Sequence, residues 1–281
     1  SVTGDSQIGG LVGSNNGGNI SGSYASDTPV TGTRNDGTYD YVGGLVGINS
    51  GSITGAYAAN KVTGNLAVGG LVGTNNGTIS DSYWDTAVSG QASSAGGTGK
   101  TTAEMQQAAT FAGWSITTAG GSSVTWRIYE GSTYPLFRTY LTPLTVTATG
   151  GSRVYDGTAY GIGVSYSALP DMSKVLGTAG YAGATKNVGS YTITPTGLYS
   201  TQQGYDISYA SGTLSITPRA LSVTATAASK LFDGLTTADV TYMDNRIAGD
   251  VLTINGSANF ADKYPGVAKL VTVNGIALTG T

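Results

Sequence analysis

Apolar residues in the first 90 positions stand as singles and pairs between Gly, Asn and Ser: GGLVGSNNGGNI at 9–20, GGLVGINSGSI at 43–53 and GGLVGTNNGTI at 69–79. Val, Thr, Ile and Tyr between clusters of turn formers predict many short strands joined by tight turns. The phrases begin at Gly9, Gly43 and Gly69, so the second starts 34 residues after the first and the third 26 after the second. The register extends past the opening phrase. Asn15, Asn49 and Asn75 lie six residues after that Gly, then come Ile20, Ile53 and Ile79, then Tyr24, Tyr57 and Tyr83. The units close at Gly32, Gly64 and Gly90, and the first is longer mainly through an insertion at 33–41, TRNDGTYDY.

A unit of about 26 residues cannot bury an apolar face alone, whereas stacked copies can, which is the logic of a solenoid. Each unit therefore reads as one coil of a β-helix over residues 1–90, with neighbouring coils about 4.8 Å apart. Leu11, Leu45 and Leu71 are expected to stack inside as one ladder and Ile20, Ile53 and Ile79 as another. Gly supplies corners, and Asn15, Asn49 and Asn75 sit at a turn where stacked amides satisfy backbone groups. Tyr24, Tyr57 and Tyr83 read as a half-buried ladder, with an exposed aromatic strip for carbohydrate as the other reading.

The pattern changes after the third unit. Residues 91–140 read as a C-terminal cap for the open solenoid end, holding the one convincing helix at roughly 102–109, with Trp84, Trp114 and Trp126 supplying its core. Beyond it a longer repeat appears: LTVTATGGSRVYDGT at 144–158 is answered by LSVTATAASKLFDGL at 221–235. NVGSYTITPTGL at 187–198 has a weaker echo in YPGVAKLVTVNGIAL at 264–278. This gives one small β module at 141–218 and a second at 219–281. The second stops before a counterpart of YDISYASGTLSITP at 205–218, and so reads as truncated. Short Pro-containing junctions suggest a semi-rigid stalk.

Composition narrows the chemistry. Of 281 residues 45 are Gly and only 10% are charged, which argues against an ordinary helical or α/β enzyme. The absence of Cys and His removes thiol nucleophiles, His bases, His-containing triads and nearly all zinc sites. A net charge of −3 with scattered Lys and Arg gives no basic stripe for nucleic acid. No apolar run approaches the roughly 20 residues needed for membrane insertion. The chain opens inside a repeat phrase without a leader-like segment, as expected for a piece of something longer.

The three GGLVG units, with their Asn, Ile and Tyr positions, resemble GLUG repeats. The stretch WDT…GGTGKTTAEM…W…YP is similar to the tail that often follows them, and TVTA…YDG…NVGSY…GTLSITP resembles YDG or MBG repeats. Together they resemble a segment of a filamentous-haemagglutinin-like adhesin of the two-partner-secretion type. That resemblance implies a right-handed parallel β-helix followed by small β-rich stalk domains in tandem, at the bacterial surface, exported through an outer-membrane transporter. It does not specify the ligand.

Several segments invite a chemical reading. GGTGKTT at 96–102 looks like a phosphate-binding loop, but position 94 is Ser where that motif needs Gly. A capping box, with Thr101 as N-cap and Glu104 reaching back, accounts for it better. Asp36, Thr38 and Asp40 offer alternating oxygens to calcium, against the ordinary reading of a solvated loop. Asp36 and Asp40, or Asp81 and Asp85, could contribute to the carboxylate constellation of a β-helix lyase or glycosidase, with turn-forming Asp as the bland alternative. The Tyr155-Asp156-Gly157 and Phe232-Asp233-Gly234 triplets read as Asp-Gly turns with the aromatic anchoring a module core.

The expectation is an all-β, non-enzymatic structural and adhesive segment without an obligatory cofactor. Its partner would be a glycan or protein receptor, or a like molecule in biofilm. Arg34, Asp36, Tyr39, Asp40 and Tyr41 in the insertion form the candidate binding site, since a loop protruding from a regular coil offers stacking and hydrogen bonding. The alternatives are a β-helix carbohydrate-processing enzyme and a passive stalk spacer.

Overall fold

The computed structural model describes residues 1–159, 163–183 and 185–280. It is an all-β structure, 46% strand against 7% helix. The chain folds into two compact units: Ser1–Thr145 with Ala168–Thr178 and Leu198–Ser208, and Val146–Ser167 with Ala179–Gly197 and Tyr209–Thr281.

The first unit is built around a β-helix-like solenoid. Its strands are two to four residues long, too short to persist alone, and each pairs in parallel with its counterpart one repeat away. Five stacks result. Val12–Asn15, Val46–Asn49 and Val72–Asn75 form one, and Asn19–Ser21, Ser52–Thr54 and Thr78–Ser80 form the next. In register, Ile20 lies on Ile53 and Ile53 on Ile79, while Tyr24 lies on Tyr57 and Tyr57 on Tyr83. Sequence identity at each step thus becomes side-chain stacking. Leu45, Val46, Ile53, Leu71 and Val72 are fully buried in one core, each worth about 1.5–3 kcal/mol relative to exposure.

The repeated glycines of GGLVG mark places with no room for a side chain. A Cβ at Gly43 would run into the Val46 carbonyl oxygen, and one at Gly44 into the Gly70 carbonyl of the next coil. Leu11 departs from the expected interior ladder, being 48% exposed where Leu45 and Leu71 are fully buried. Its strand neighbourhood pairs only with the second coil, so one side of the leucine has no coil against it.

The Asn positions form a continuous amide ladder. Asn15 Nδ2 donates to Asn49 Oδ1 at 2.8 Å, and Asn49 Nδ2 donates to Asn75 Oδ1 at 2.7 Å. The same side chains close their own turns: Asn49 Oδ1 accepts from Gly51 N and Asn75 Oδ1 from Gly77 N, both at 3.3 Å. Asn49 is buried and serves both neighbours. Asn49→Ala is therefore expected to destabilise the first unit by about 1–3 kcal/mol, measured by urea unfolding, because it strands buried amide partners on two coils. Asn75→Ala, at the end of the ladder, should cost less.

Two elements follow the third coil, and they differ from a simple end cap. Ser93–Ala95 occupies the place of a fourth coil: Ser93 O accepts from Gly70 N at 3.0 Å, and Ser94 Oγ accepts from Val72 N at 2.9 Å. Thr98–Lys100 then adds a fourth strand to the tyrosine stack. Trp84 belongs to the solenoid interior and not to a separate cap core. It stands in register with Ala25 and Ala58, fills the last coil at 6% exposure, and leaves no space for a Cβ at Gly70.

The capping box is present, with Glu104 N donating to Thr101 Oγ1 at 3.2 Å and Thr101 N to Glu104 Oε2 at 2.8 Å. The helix it starts is one turn, Thr102–Met105, followed by a 3₁₀ turn at Ala108–Phe111, and not the continuous helix expected to residue 109. Residues 105–137 then run along the outer face of the tyrosine stack. Phe111, Trp114, Trp126 and Phe137 pack on Tyr24, Tyr57 and Tyr83 as a second core.

The first module carries a four-stranded sheet, most of it within the second unit, in the order Gly151–Val154, Gly212–Thr217, Gly189–Tyr199, Leu176–Ala182. Its core is Ala148, Ile193, Leu214 and Ile216, with Tyr155 packed against it. The second module has two hairpin pairs: Val223–Ala227 with Val240–Asp244, and Leu252–Phe260 with Val271–Gly280. Both Asp-Gly turns form, but Phe232 is 66% exposed and anchors no core, unlike Tyr155.

Candidate functional site

The 33–41 insertion leaves the first coil after Val30–Gly32 and is tied down at both ends. Thr33 Oγ1 donates to Gly4 O at 3.1 Å and to Asp5 Oδ1 at 2.5 Å. At the far end, Gln7 N donates to Asp40 O at 2.8 Å and Ile8 N to Tyr41 O at 3.0 Å. Between these anchors the chain turns at Gly37, whose φ of 81° is strained for any residue with a side chain.

The five predicted residues separate into three roles. Asp40 is fully buried, and its carboxylate accepts from Asn65 N at 2.7 Å and Leu66 N at 3.0 Å. It braces the turn of the second coil, a structural use that leaves the carboxylate enclosed. Asp36 and Arg34 satisfy one another through Thr38. Thr38 N donates to Asp36 Oδ1 at 3.0 Å, Arg34 donates to Thr38 Oγ1 at 2.8 Å, and Arg34 pairs with Asp36 at 3.6 Å. The Thr38 hydrogen bonds hold the Asp36 carboxyl below the usual carboxylate range, with Arg34 a lesser cause. Tyr39 and Tyr41 stack at 5.4 Å between centroids with planes 20° apart, and Tyr39 is 55% exposed.

This placement fits the solvated-loop reading better than the calcium one. With Asp40 turned to Asn65 and Leu66, the Asp36, Thr38 and Asp40 oxygens do not converge, and no group of three acidic residues suited to a metal occurs among the described residues. Asp85 is likewise structural: it caps the short Thr86–Ser89 helix through Val88 N at 2.9 Å and accepts from the Tyr134 hydroxyl at 2.8 Å. Burial first, and that carboxylate second, push the Tyr134 hydroxyl pKa upward. Asp81 lends its carbonyl to Trp114 Nε1 at 3.0 Å. The Lys100 of GGTGKTT lies in a strand of the stack and pairs with Glu104 at 3.4 Å.

Tyr24, Tyr57 and Tyr83 form a covered wall and not an open strip. Tyr24 and Tyr57 stack at 5.1 Å, and the Tyr57 hydroxyl, wholly buried, donates to Pro135 O at 2.8 Å. Desolvation raises the Tyr57 pKa well above its ordinary value. A cluster that the sequence did not signal lies in the same unit. Asp206 forms ion pairs with Arg127 at 3.3 Å and with Arg138 and accepts a hydrogen bond from Gly121 N at 3.0 Å, while the Arg127 guanidinium stacks 3.8 Å over the Tyr129 ring. These are lone charges far apart in sequence, without a repeat to mark them.

Residues 38–63 match the family model of the GLUG motif, residues 144–215 that of the MBG domain of the YGX type, and residues 217–281 that of the YDG domain. Comparison with curated proteins and with solved structures gives no match. GLUG, MBG and YDG domains are thus present, and they are domains of repeat-containing, surface or adhesin-like proteins. Among the described residues no helix is long and apolar enough to cross a membrane.

Proposed function

We propose that this chain is a structural and adhesive segment of a filamentous-haemagglutinin-like surface protein exported by two-partner secretion, with the 33–41 loop as its recognition element. The observation that carries the reading is the Tyr39–Tyr41 pair. It is an aromatic stack on a loop pinned by Thr33 and the buried Asp40, so little ordering is left to be done on binding. Tyr is the residue type that supplies large, rigid and partly polar contact area at interfaces. The ligand class proposed is a glycan, whose ring faces stack on the two tyrosines while Arg34 donates hydrogen bonds at the edge. Attachment to host cells, to matrix polysaccharide or between bacteria in biofilm would all use this contact.

The proposed role is binding without turnover. Asp40 and Asp85 already hold backbone N–H groups, and Glu104 holds its helix cap, which supports a structural use of these carboxylates. Binding of the purified chain to immobilised glycans and to whole cells tests the reading. Tyr39→Ala with Tyr41→Ala is expected to weaken binding at least about tenfold while the melting temperature is held. Binding that survives both substitutions, or release of sugar from a polysaccharide, would overturn it. A purified chain that binds neither glycans nor cells would assign the segment to a passive spacer.

A further inference from the structure

The Tyr155-Asp156-Gly157 turn belongs to the first module and the loop at 244–252 to the second, and both lie in the second compact unit. Tyr155 packs on the core of Ala148, Ile193, Leu214 and Ile216, so its ring is held by the first module. Its hydroxyl reaches past that core and donates to Asp250 Oδ1 of the second module at 2.5 Å. Two residues on, Gly157 turns with φ of 78°, and the place a Cβ would take lies 2.6 Å from Ile247 Cγ2. Glycine is needed there twice over, for the backbone angle and for the close approach of the isoleucine.

The receiving loop is shaped by its own hydrogen bonds. Asp250 N donates to Ile247 O at 3.0 Å, and Gly249 with φ of 99° lets that turn close, so one turn presents both Ile247 and Asp250. Arg246 pairs with Asp244 and donates to Leu252 O at 2.6 Å, which ties the two ends of the loop together. The same loop holds the connector between the modules: Ser222 N donates to Asn245 Oδ1 at 2.8 Å, and Asn245 Nδ2 donates to Ala220 O at 3.4 Å. Pro218 stiffens that connector only locally. A single covalent connector leaves one module free to rotate on the other, whereas a second attachment on the same loop removes most of that freedom.

We infer that the Tyr155-Asp156-Gly157 turn is an inter-module latch whose partner is the Ile247–Asp250 turn of the second module. The isoleucine seats over the glycine, and the carboxylate takes the tyrosine hydroxyl. The latch sets the angle between the two modules, and the stiffness of this joint comes from it and not from the Pro-containing connector alone. It gives the tyrosine a task that a ring in the core does not explain. Phe232, at the equivalent place in the second module, has no hydroxyl to donate, so the hydrogen-bonded half of the latch belongs to the Tyr copy. The inference goes beyond the proposed function, because it concerns how the chain holds its shape and not what it binds.

The chain has no Cys, so spin labels on cysteines introduced at the exposed Ser190 and Thr272 report a single distance between the modules of the full chain. One narrow distance distribution is expected without further substitution. Tyr155→Phe keeps the ring on the core and removes only the hydroxyl; it and Asp250→Ala should each broaden the distribution at least about twofold, toward that of a free connector. The double variant should broaden it no further, since each partner acts through the other. Amide exchange within Gly212–Thr217 and Val240–Asp244 should stay unchanged, which separates a loosened joint from a melted module. The latch is overturned by a broad distribution in the chain with both partners intact, by widths that neither single variant changes, or by effects that add in the double variant. Faster exchange throughout either module would also overturn it, because Tyr155 and Asp250 would then serve the fold of a module and not the joint.

Discussion

Asp206→Ala is expected to cost the first unit about 3–5 kcal/mol. The carboxylate is 4% exposed and lies between two guanidinium groups, Arg127 at 3% exposure of its side chain and Arg138 at 11%. Removing it leaves two cations in low dielectric with no counter-charge and strips Gly121 N of its acceptor. Burial is the chief cause of the lowered pKa of Arg127, which Tyr129 and Asp206 oppose. The sum is set by desolvation, so the loss on breaking the cluster exceeds the gain from forming it. Urea unfolding followed by tryptophan emission reads the result, since Trp114 and Trp126 lie in the same unit. A loss below about 1 kcal/mol would mean that water reaches the two arginines and that the cluster is a surface pair.

Leu45→Ala should cost about 2–5 kcal/mol and Leu11→Ala no more than about 0.5 kcal/mol, although both residues occupy the same place in GGLVG. Leu45 is fully enclosed between the first and third coils, and truncating it opens a cavity that the flanking glycines cannot fill. Leu11 is 48% exposed and leaves no cavity behind. Paired unfolding curves of the two variants check this. Equal losses would show that the first coil is covered in solution, for example by association with another chain.

That contrast explains what the sequence could and could not disclose. The ladders were legible because a parallel stack places identical positions on one another, so Asn15, Asn49 and Asn75 advertise their own contacts. Leu11 was not, because its burial depends on whether a coil lies beyond it, and the phrase is the same either way. The fate of Asp40 was hidden for a related reason. A carboxylate in a polar loop looks available until the fold brings the N–H groups of Asn65 and Leu66 beneath it. The tyrosine wall was half legible. Its ladder follows from the repeat, but its cover of Phe111, Trp114, Trp126 and Phe137 comes from a segment without periodicity. The Asp206 cluster had no signal, since three single charges acquire meaning only when three-dimensional packing excludes water from them.

The interior column of Ala25, Ala58 and Trp84 has a consequence for how such a rod changes in evolution. Two coils carry the small residue and only the last carries the large one, so the plug is confined to a single coil. A duplicated 26-residue unit inserted before it would bring its own alanine, asparagine and isoleucine into register and leave the plug untouched. Each such copying event would lengthen the solenoid by about 4.8 Å. The length of the solenoid could thereby change by whole coils while the Trp84 plug stays as it is.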